Sequence, residues 1–292
     1  MLFLHGILNS IWMIEESYAS NYLPLVANFL EGKPVAVKSS GMEERKLTAQ
    51  NGVLFADFKN GSYFISDYGG YSSPEMAPEN SVAIISIEGA ITKHDQDCGP
   101  AGMRTKAGLL NRCYGNPRIQ GIVLRIDSGG GEGRAMQLLT DVISKRNKGV
   151  VAFVEDCACS AAYGIAAACD TVTLNSQTAM IGSIGTYMTV ADYAEFWKMR
   201  GINLIEIYAS KSTDKNREFY EAIKGNREPL LKICDTFNEQ FIASIARYRE
   251  GKISEDQSAW STGKIFFADE AIKLGLADSV DSLENVINYF NI

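Results

Sequence analysis

The chain has 292 residues, of which 46% are hydrophobic and 22% are charged, so it contains enough apolar material for a sizeable globular core. Its formal net charge of −7 argues against a nucleic-acid-binding surface, because no cluster of Lys and Arg offsets the acidic excess. No apolar run reaches the roughly 20 residues that a membrane-spanning helix needs. We therefore expect neither a nucleic-acid partner nor a membrane anchor.

The N-terminus and the cysteines predict a cytoplasmic protein. Residues 1–8 are apolar but lack the basic start of a signal peptide. In a long chain without an export signal, the six cysteines are expected to be reduced thiols. Cys157 and Cys159 could form half of a metal site, but only His94 with Cys98 offers a second pair. We therefore predict no metal and no cofactor.

The predicted elements before residue 81 differ from the rest of the chain. Asn21–Leu30 has the apolar spacing of a helix, and Val53–Phe55 and Tyr63–Ile65 resemble short strands. The stretch Asp67–Asn80, with its Gly, Ser and Pro residues, is typical of a linker or loop. We interpret residues 1–80 as an N-terminal appendage and linker.

From Ser81 onward, predicted strands and helices alternate, which is typical of an α/β domain. The predicted strands are Val82–Ile87, Ile122–Ile126, Val150–Val154, Thr171–Thr173, Met180–Gly185 and Leu204–Ile207. The predicted helices are Thr105–Cys113, Gly133–Arg146, Ser160–Ala168, Ala191–Met199 and Glu228–Arg249. We expect residues 81–292 to form one α/β domain.

A glycine run follows the strand Ile122–Ile126, in the sequence Asp127-Ser128-Gly129-Gly130-Gly131, where we expect the strand to end. Consecutive glycines let backbone N–H groups turn toward a developing oxyanion. Such a run alone is also typical of a tight turn. A phosphate-binding loop is disfavoured, because Glu132-Gly133-Arg134 follows in place of the Lys-Ser/Thr ending of that motif.

A single serine, Ser160, lies between the predicted strand Val150–Val154 and the helix that follows it. Its neighbours are small residues, so its hydroxyl would be presented to a substrate at a strand-to-helix junction. Together with the glycine run, this serine indicates an acyl-transfer site.

The base of such a site is less clear, because the chain has only two histidines, His5 and His94. Neither lies in a segment that resembles an active-site turn, although a Ser-His-Asp triad is not excluded. A lysine stripped of water can be neutral near pH 7, and Ser-Lys dyads are an established variant of the triad. Lys211 and Lys215 follow the predicted strand Leu204–Ile207, although most surface lysines are only solvated charges.

Four segments, in this order along residues 82–282, resemble the signal peptide peptidase A family of serine–lysine peptidases. These segments are Val123–Gly131, Ala158–Tyr163, Ile181–Gly185 and Lys264–Asp278. The resemblance implies a crotonase-like, Clp-protease-like α/β fold built as a spiral of repeated β-β-α units.

The resemblance also implies roles for individual residues. Ser160 is the nucleophile, and the backbone amide of Gly130 or Gly131 forms the oxyanion hole with that of Ala161. The family usually has Pro at the position of Gly129 and Gly-Gly in place of Ala161 and its neighbour. These departures leave a catalytically inactive member as an alternative.

The general base of the family follows the strand that corresponds to Leu204–Ile207. Ungapped spacing places it at Thr213, so a shift of two residues is needed in either direction. We assign Lys215, because Asp214-Lys215-Asn216 resembles the polar context of family relatives of this length. Lys211 stays as the alternative.

The absence of a predicted anchor, together with the N-terminal appendage, resembles the phage head-maturation proteases of this family. This implies a polypeptide substrate (a scaffold or capsid protein, or small peptides) and a homo-oligomeric ring in the cytoplasm or in a procapsid assembled there. We expect Ala152, Phe153 and Val154 to pair with an extended substrate by β-augmentation. Two alternatives are a catalytically inactive assembly or scaffold-binding protein on this fold and a crotonase-type acyl-CoA enzyme.

Overall fold

A computed structural model of the chain describes residues 52–58, 73–96 and 99–291, together with the backbone of residues 12–14 and 64–66. The apolar start of the chain and the predicted helix Asn21–Leu30 lie outside these residues. Both short strands predicted near residues 54 and 64 are present.

The described residues contain ten strands and eight α-helices. The strands are β1 (Trp12–Ile14), β2 (Leu54–Asp57), β3 (Phe64–Ser66), β4 (Ser81–Ile91), β5 (Ile119–Glu132), β6 (Gly149–Cys159), β7 (Thr171–Leu174), β8 (Met180–Gly182), β9 (Ile265–Phe266) and β10 (Ser279–Val280). The helices are α1 (Met103–Gly115), α2 (Gly133–Ile143), α3 (Ala161–Ala167), α4 (Ala194–Met199), α5 (Arg217–Ile223), α6 (Glu228–Tyr248), α7 (Ala268–Lys273) and α8 (Leu283–Asn288).

All ten strands join one sheet, whose main path runs in the order β10-β7-β6-β5-β4-β2-β3. Strands β4, β5, β6 and β7 are mutually parallel and, from β4 to β7, each is linked to the next by one of helices α1, α2 and α3. Parallel neighbours need such crossover connections, and the helices then cover the sheet. The predicted α/β class is confirmed.

The long strands change register near their C-terminal ends. The pairing of β4 with β5 shifts between Glu88 and Ala90, and that of β5 with β6 shifts between Ile126 and Ser128. Beyond the second shift, the end of β6 pairs with β8. Each long strand therefore has two successive parts followed by a helix, which is the arrangement expected of a β-β-α unit.

Two sequence expectations about strands are wrong. Strand β5 does not end at Ile126 but continues through the glycine run to Glu132. The predicted strand Leu204–Ile207 does not form, and Ile205 and Ile207 are 82% and 90% exposed. Apolar β-branched residues favour a strand only where a neighbouring strand and a buried face are available.

The core lies on both faces of the sheet, because alternate residues of a strand point to opposite sides. Ile85 and Ile87 of β4 belong to the larger cluster, which includes residues of helices α1, α2, α3 and α6. Val82 and Ile84 of the same strand belong to a smaller cluster on the other face, which the C-terminal helix α8 covers.

The predicted boundary at residue 80 remains a prediction. Strands β2 and β3 precede that residue, yet β2 pairs with β4 and is buried. The described part of residues 1–80 therefore extends the same sheet as the following residues.

A buried ion pair holds the C-terminal segment on the sheet. Arg249, which is only 1% exposed, donates to both carboxylate oxygens of Asp278 over 2.8 and 3.0 Å. The same carboxylate accepts from the backbone N–H of Val172 in β7 and from Lys252. Burial alone would raise the pKa of Asp278, but these donors outweigh it and hold the pKa below its ordinary value.

Candidate active site

The register of β5 and β6 brings the glycine run and the serine together. Ser128 of β5 lies opposite Ala158 of β6 in the parallel pairing. Two residues further along each strand, the chain reaches Gly130 and Ser160. Because parallel strands end at the same edge of a sheet, the two sequence motifs form one site.

Ser160 occupies a strained turn between β6 and helix α3. Its backbone angles are φ 56° and ψ −121°, which a residue with a side chain rarely adopts. Its N–H donates to the carbonyl of Gly182 over 2.7 Å, and its own carbonyl accepts from Gly164 in the helix. This is the geometry of a nucleophile held on a sharp strand-to-helix turn.

The hydroxyl of Ser160 is buried and has no hydrogen-bond partner among the described residues. A buried hydroxyl without a partner costs free energy, and such groups in native proteins call for an explanation. A substrate carbonyl or a general base would supply the missing partner.

The two glycine amides of the predicted oxyanion hole differ. The N–H of Gly130 donates to the hydroxyl of Ser128 over 3.1 Å, and that hydroxyl donates to the carbonyl of Gly89. At Gly131, a Cβ atom would come within 2.1 Å of the carbonyl oxygen of Ile91, so a larger residue has no room there. The amide of Gly131 is therefore the better of the two candidates.

Ala161 is the first residue of helix α3. The first N–H groups of a helix have no acceptor within the helix, and the helix dipole makes them attractive to an anion. The amide after the serine is thus placed as the resemblance implied, and alanine retains this donor.

The structure does not bring the predicted lysines to the serine. Lys211 and Lys215 are exposed in the turns before helix α5. Because the Ser160 Oγ has no hydrogen-bond partner, neither amine lies within hydrogen-bonding distance of it in this single chain. The assignment of either lysine as the base stays a prediction.

A lysine that the sequence analysis missed is buried near the glycine run. Lys106 of helix α1 is 1% exposed, and burial lowers its pKa from 10.5 to about 8, while the charges of Glu88 and Asp95 oppose that shift. It lies three residues from the buried Met103 and four from Leu110. A lysine at helical spacing within an apolar stripe was the sequence signal that could have revealed it.

The predicted β-augmentation at Ala152, Phe153 and Val154 is wrong. These residues pair with β5 on one side and with β7 on the other. All three are buried. This part of β6 therefore has no free edge on which a substrate strand could pair.

Among the described residues, no group of three or more His, Cys, Asp and Glu side chains is arranged to hold a metal ion. The thiols of Cys157 and Cys159 are 3.4 Å apart and buried next to the serine turn. No helix in the described part of the chain is both long and apolar enough to span a bilayer.

A family model for peptidase family S49 matches residues 143–291, which include Ser160, both exposed lysines and the C-terminal segment. The chain belongs to peptidase family S49. This membership confirms the resemblance to the signal peptide peptidase A family and covers about half of the chain.

Two relatives of this S49 member are phage proteins. The head-tail preconnector protein GP5 of Enterobacteria phage P21 is 27% identical over 215 residues, covering 72% of this chain and 42% of that protein. The capsid assembly protease C of Escherichia phage lambda is 24% identical over 278 residues, covering 93% of this chain and 61% of that protein. The chain thus spans about half the length of these relatives.

Among solved structures, an enoyl-CoA hydratase/isomerase family member is similar with a TM-score of 0.43 and 19% identity, covering 72% of this chain and 70% of that one. That likeness concerns the chain path and carries no information about activity.

Proposed function

We propose that this S49 member is a serine endopeptidase in which Ser160 attacks the scissile carbonyl and a lysine accepts its proton. The observation that supports this proposal most strongly is the strained Ser160 turn beside the glycine strand. A backbone strain of this kind costs on the order of 1–3 kcal/mol and persists where the surrounding structure enforces it. Its position at a site with unused amide donors favours a catalytic purpose.

In the proposed reaction, the Ser160 Oγ forms a bond to the carbonyl carbon as its proton passes to the neutral lysine. The N–H groups of Gly131 and Ala161 donate to the resulting oxyanion. The tetrahedral intermediate collapses, the amine leaves with the proton from the lysine, and an acyl-enzyme remains. Water then attacks the ester with the same lysine as base, which releases the acid and regenerates the serine.

We assign the base to Lys215, with Lys211 as the alternative, and we propose that assembly completes the dyad. Both lysines follow a segment whose large apolar side chains are exposed, since Leu204 is 65% and Ile207 is 90% exposed. Exposed apolar clusters of this kind mark contact surfaces. In a homo-oligomeric ring, this segment of one copy would pack against the site of its neighbour and lose water around its lysine.

We propose polypeptide substrates of the phage-assembly type, such as scaffold or capsid proteins. The support is the similarity over 93% of this chain to the lambda capsid assembly protease and the match to the P21 preconnector protein. The acidic net charge of −7 gives no reason to expect a nucleic acid as substrate.

The test is cleavage of casein and of a co-expressed phage scaffold protein, followed by mass spectrometry of the fragments. Ser160→Ala should abolish cleavage, whereas the matched change Ser144→Ala, at an exposed position after α2, should leave it unchanged. Undiminished cleavage by Ser160→Ala would refute the assignment of the nucleophile. Hydrolysis of an acyl-CoA thioester without any cleavage of protein would favour the acyl-CoA reading, and scaffold binding without hydrolysis would favour the assembly protein.

A further inference from the structure

The glycine strand is paired along both of its edges at residues 130–132. On one edge, Ala90 and Ile91 of β4 lie opposite Gly130 and Gly131 in parallel register. On the other edge, the last pairing with β6 is at Ser128. Beyond that point, β6 has diverged toward β8, and the edge it leaves is free for another strand.

The N-terminal strand β1 takes this second edge. It runs antiparallel to β5, with Trp12 opposite Glu132, Met13 opposite Gly131 and Ile14 opposite Gly130. Because β4 holds the opposite edge, β1 lies on the side from which β6 has departed. That is the side on which the chain turns at Ser160.

A polypeptide to be cleaved must present an extended backbone at this same place. Its scissile carbonyl has to lie between the amide of Gly131 and the hydroxyl of Ser160, and main-chain pairing on a free strand edge is the usual way to fix such a backbone. The edge of β6 at residues 152–154 is unavailable, as shown above. The edge of residues 130–132 is therefore the docking edge for an extended peptide.

We propose that residues 12–14 occupy the substrate-strand position and that the N-terminal segment competes, within the molecule, with polypeptides that bind there. This inference rests on the proposed peptidase function for its meaning, but the competition for the edge is a separate property. Recognition runs through backbone groups, so the ligand class is an extended polypeptide running antiparallel to β5.

A three-residue ladder makes few hydrogen bonds, each of small net worth, so it closes the edge only partially. We expect the closed form to outnumber the open form by about tenfold, which would weaken the binding of an added peptide by a similar factor.

The test uses the full-length chain with Met13→Pro and Ile14→Pro combined. Successive N–H groups of a strand point to opposite edges, so the double change removes one donor toward β5 whatever the exact hydrogen-bond pattern. The matched control is Met13→Ala combined with Ile14→Ala. Both are made in a Ser160→Ala background, so that no bond is cut during the measurement.

The probe is a fluorescein-labelled synthetic peptide with the sequence of residues 8–18, and its binding is followed by fluorescence anisotropy. We expect the proline variant to bind this peptide about tenfold more tightly than the alanine control. Equal affinities for the two variants would overturn the proposal.

With Ser160 intact, the proline variant should also show a kcat/KM for casein about tenfold above that of the alanine control, with kcat unchanged. Cleavage that proceeds equally in both variants would overturn the competition. If no variant cleaves casein, the proposed function fails, and the anisotropy experiment still decides whether the N-terminal strand competes for the edge.

Discussion

The backbone N–H of Ser160 donates a 2.7 Å hydrogen bond to the carbonyl of Gly182, so the nucleophile turn is fastened to strand β8. Gly182 itself has a φ of 111°, and a Cβ atom there would come within 2.7 Å of the carbonyl oxygen of Lys264. The neighbouring N–H of Ser183 donates to that same carbonyl over 2.6 Å. The strained conformation of Ser160 is thus imposed by its surroundings.

This strain predicts that the two simplest replacements of Ser160 differ in stability. Ser160→Gly and Ser160→Ala should both abolish proteolysis, but the glycine variant should be more stable than the alanine variant by about 1 kcal/mol, because glycine accepts a positive φ without steric cost. Urea unfolding of both variants measures the difference. An alanine variant as stable as the glycine variant would show that the turn is not strained.

The crowding at Gly131 predicts a second pair of variants. Gly131→Ala places a Cβ atom within 2.1 Å of the Ile91 carbonyl, so the strands must shift, and we expect a loss of about 1–3 kcal/mol in unfolding free energy with little remaining activity. Gly129→Ala is the control, since Gly129 has no positive φ in the structure. A Gly131→Ala variant with the activity of the control would exclude the Gly131 amide from the oxyanion hole.

The exposed position of Lys215 predicts complementation between inactive subunits. If the lysine acts on the serine of a neighbouring copy, co-expressed Ser160→Ala and Lys215→Ala chains should regain about a quarter of wild-type activity, because one site in four combines an intact serine with an intact lysine. The measurement is casein cleavage by mixed oligomers.

The controls for that experiment are the single variants Lys211→Ala and Lys106→Met. Both should retain cleavage activity when made alone. Loss in Lys211→Ala with full activity in Lys215→Ala would reassign the base to Lys211, and loss in Lys106→Met without unfolding would direct attention to the buried amine. Mixed oligomers without activity would place the dyad within one chain.

The buried Lys106 predicts a pH-dependent gain in stability on its removal. The pKa of Lys106 falls from 10.5 to about 8 on folding, so between these values the unfolded chain binds more protons and the wild-type protein becomes more stable as the pH rises. Lys106→Met should therefore exceed the wild type by about 3 kcal/mol at or below pH 8, and the advantage should vanish near pH 10.5. Urea unfolding across this range measures the difference.

The exposed Lys145→Met serves as the control for Lys106, since it should show no such pH dependence. A Lys106→Met variant that parallels the wild type at every pH would contradict the lowered pKa.

The ion pair between Arg249 and Asp278 predicts the largest single loss of stability. Asp278→Asn leaves the buried guanidinium without its counter-charge, and we expect a loss of about 3–5 kcal/mol at pH 7, against almost none for the exposed Asp269→Asn. The folded-state pKa of Asp278 lies below its ordinary value, so this contribution is present above the ordinary value and disappears as the pH falls through the folded-state pKa. Thermal unfolding at pH 7 and at pH 3 should show the difference narrowing in acid.

The sequence predicted the α/β class, the parallel strands and the serine–glycine pairing, because those depend on local apolar runs and on a simple rule of parallel sheets. It did not predict that β5 continues through Gly129, since the sequence of a glycine run does not distinguish a turn from a strand paired on both sides. It also did not predict that Leu204–Ile207 stays exposed, because strand formation requires a partner that this segment lacks within one chain. The burial of Lys106 was missed because its charge outweighed its helical position.

The support of the serine turn by Lys264 and β9 has a consequence for the order of biosynthesis. A ribosome releases Ser160 roughly a hundred residues before the backbone that steadies it, so the growing polypeptide carries a nucleophile without a fixed geometry for most of its emergence. Hydrolytic competence would then arise only near the completion of translation, which spares the nascent chain and its neighbours on the polysome from premature damage.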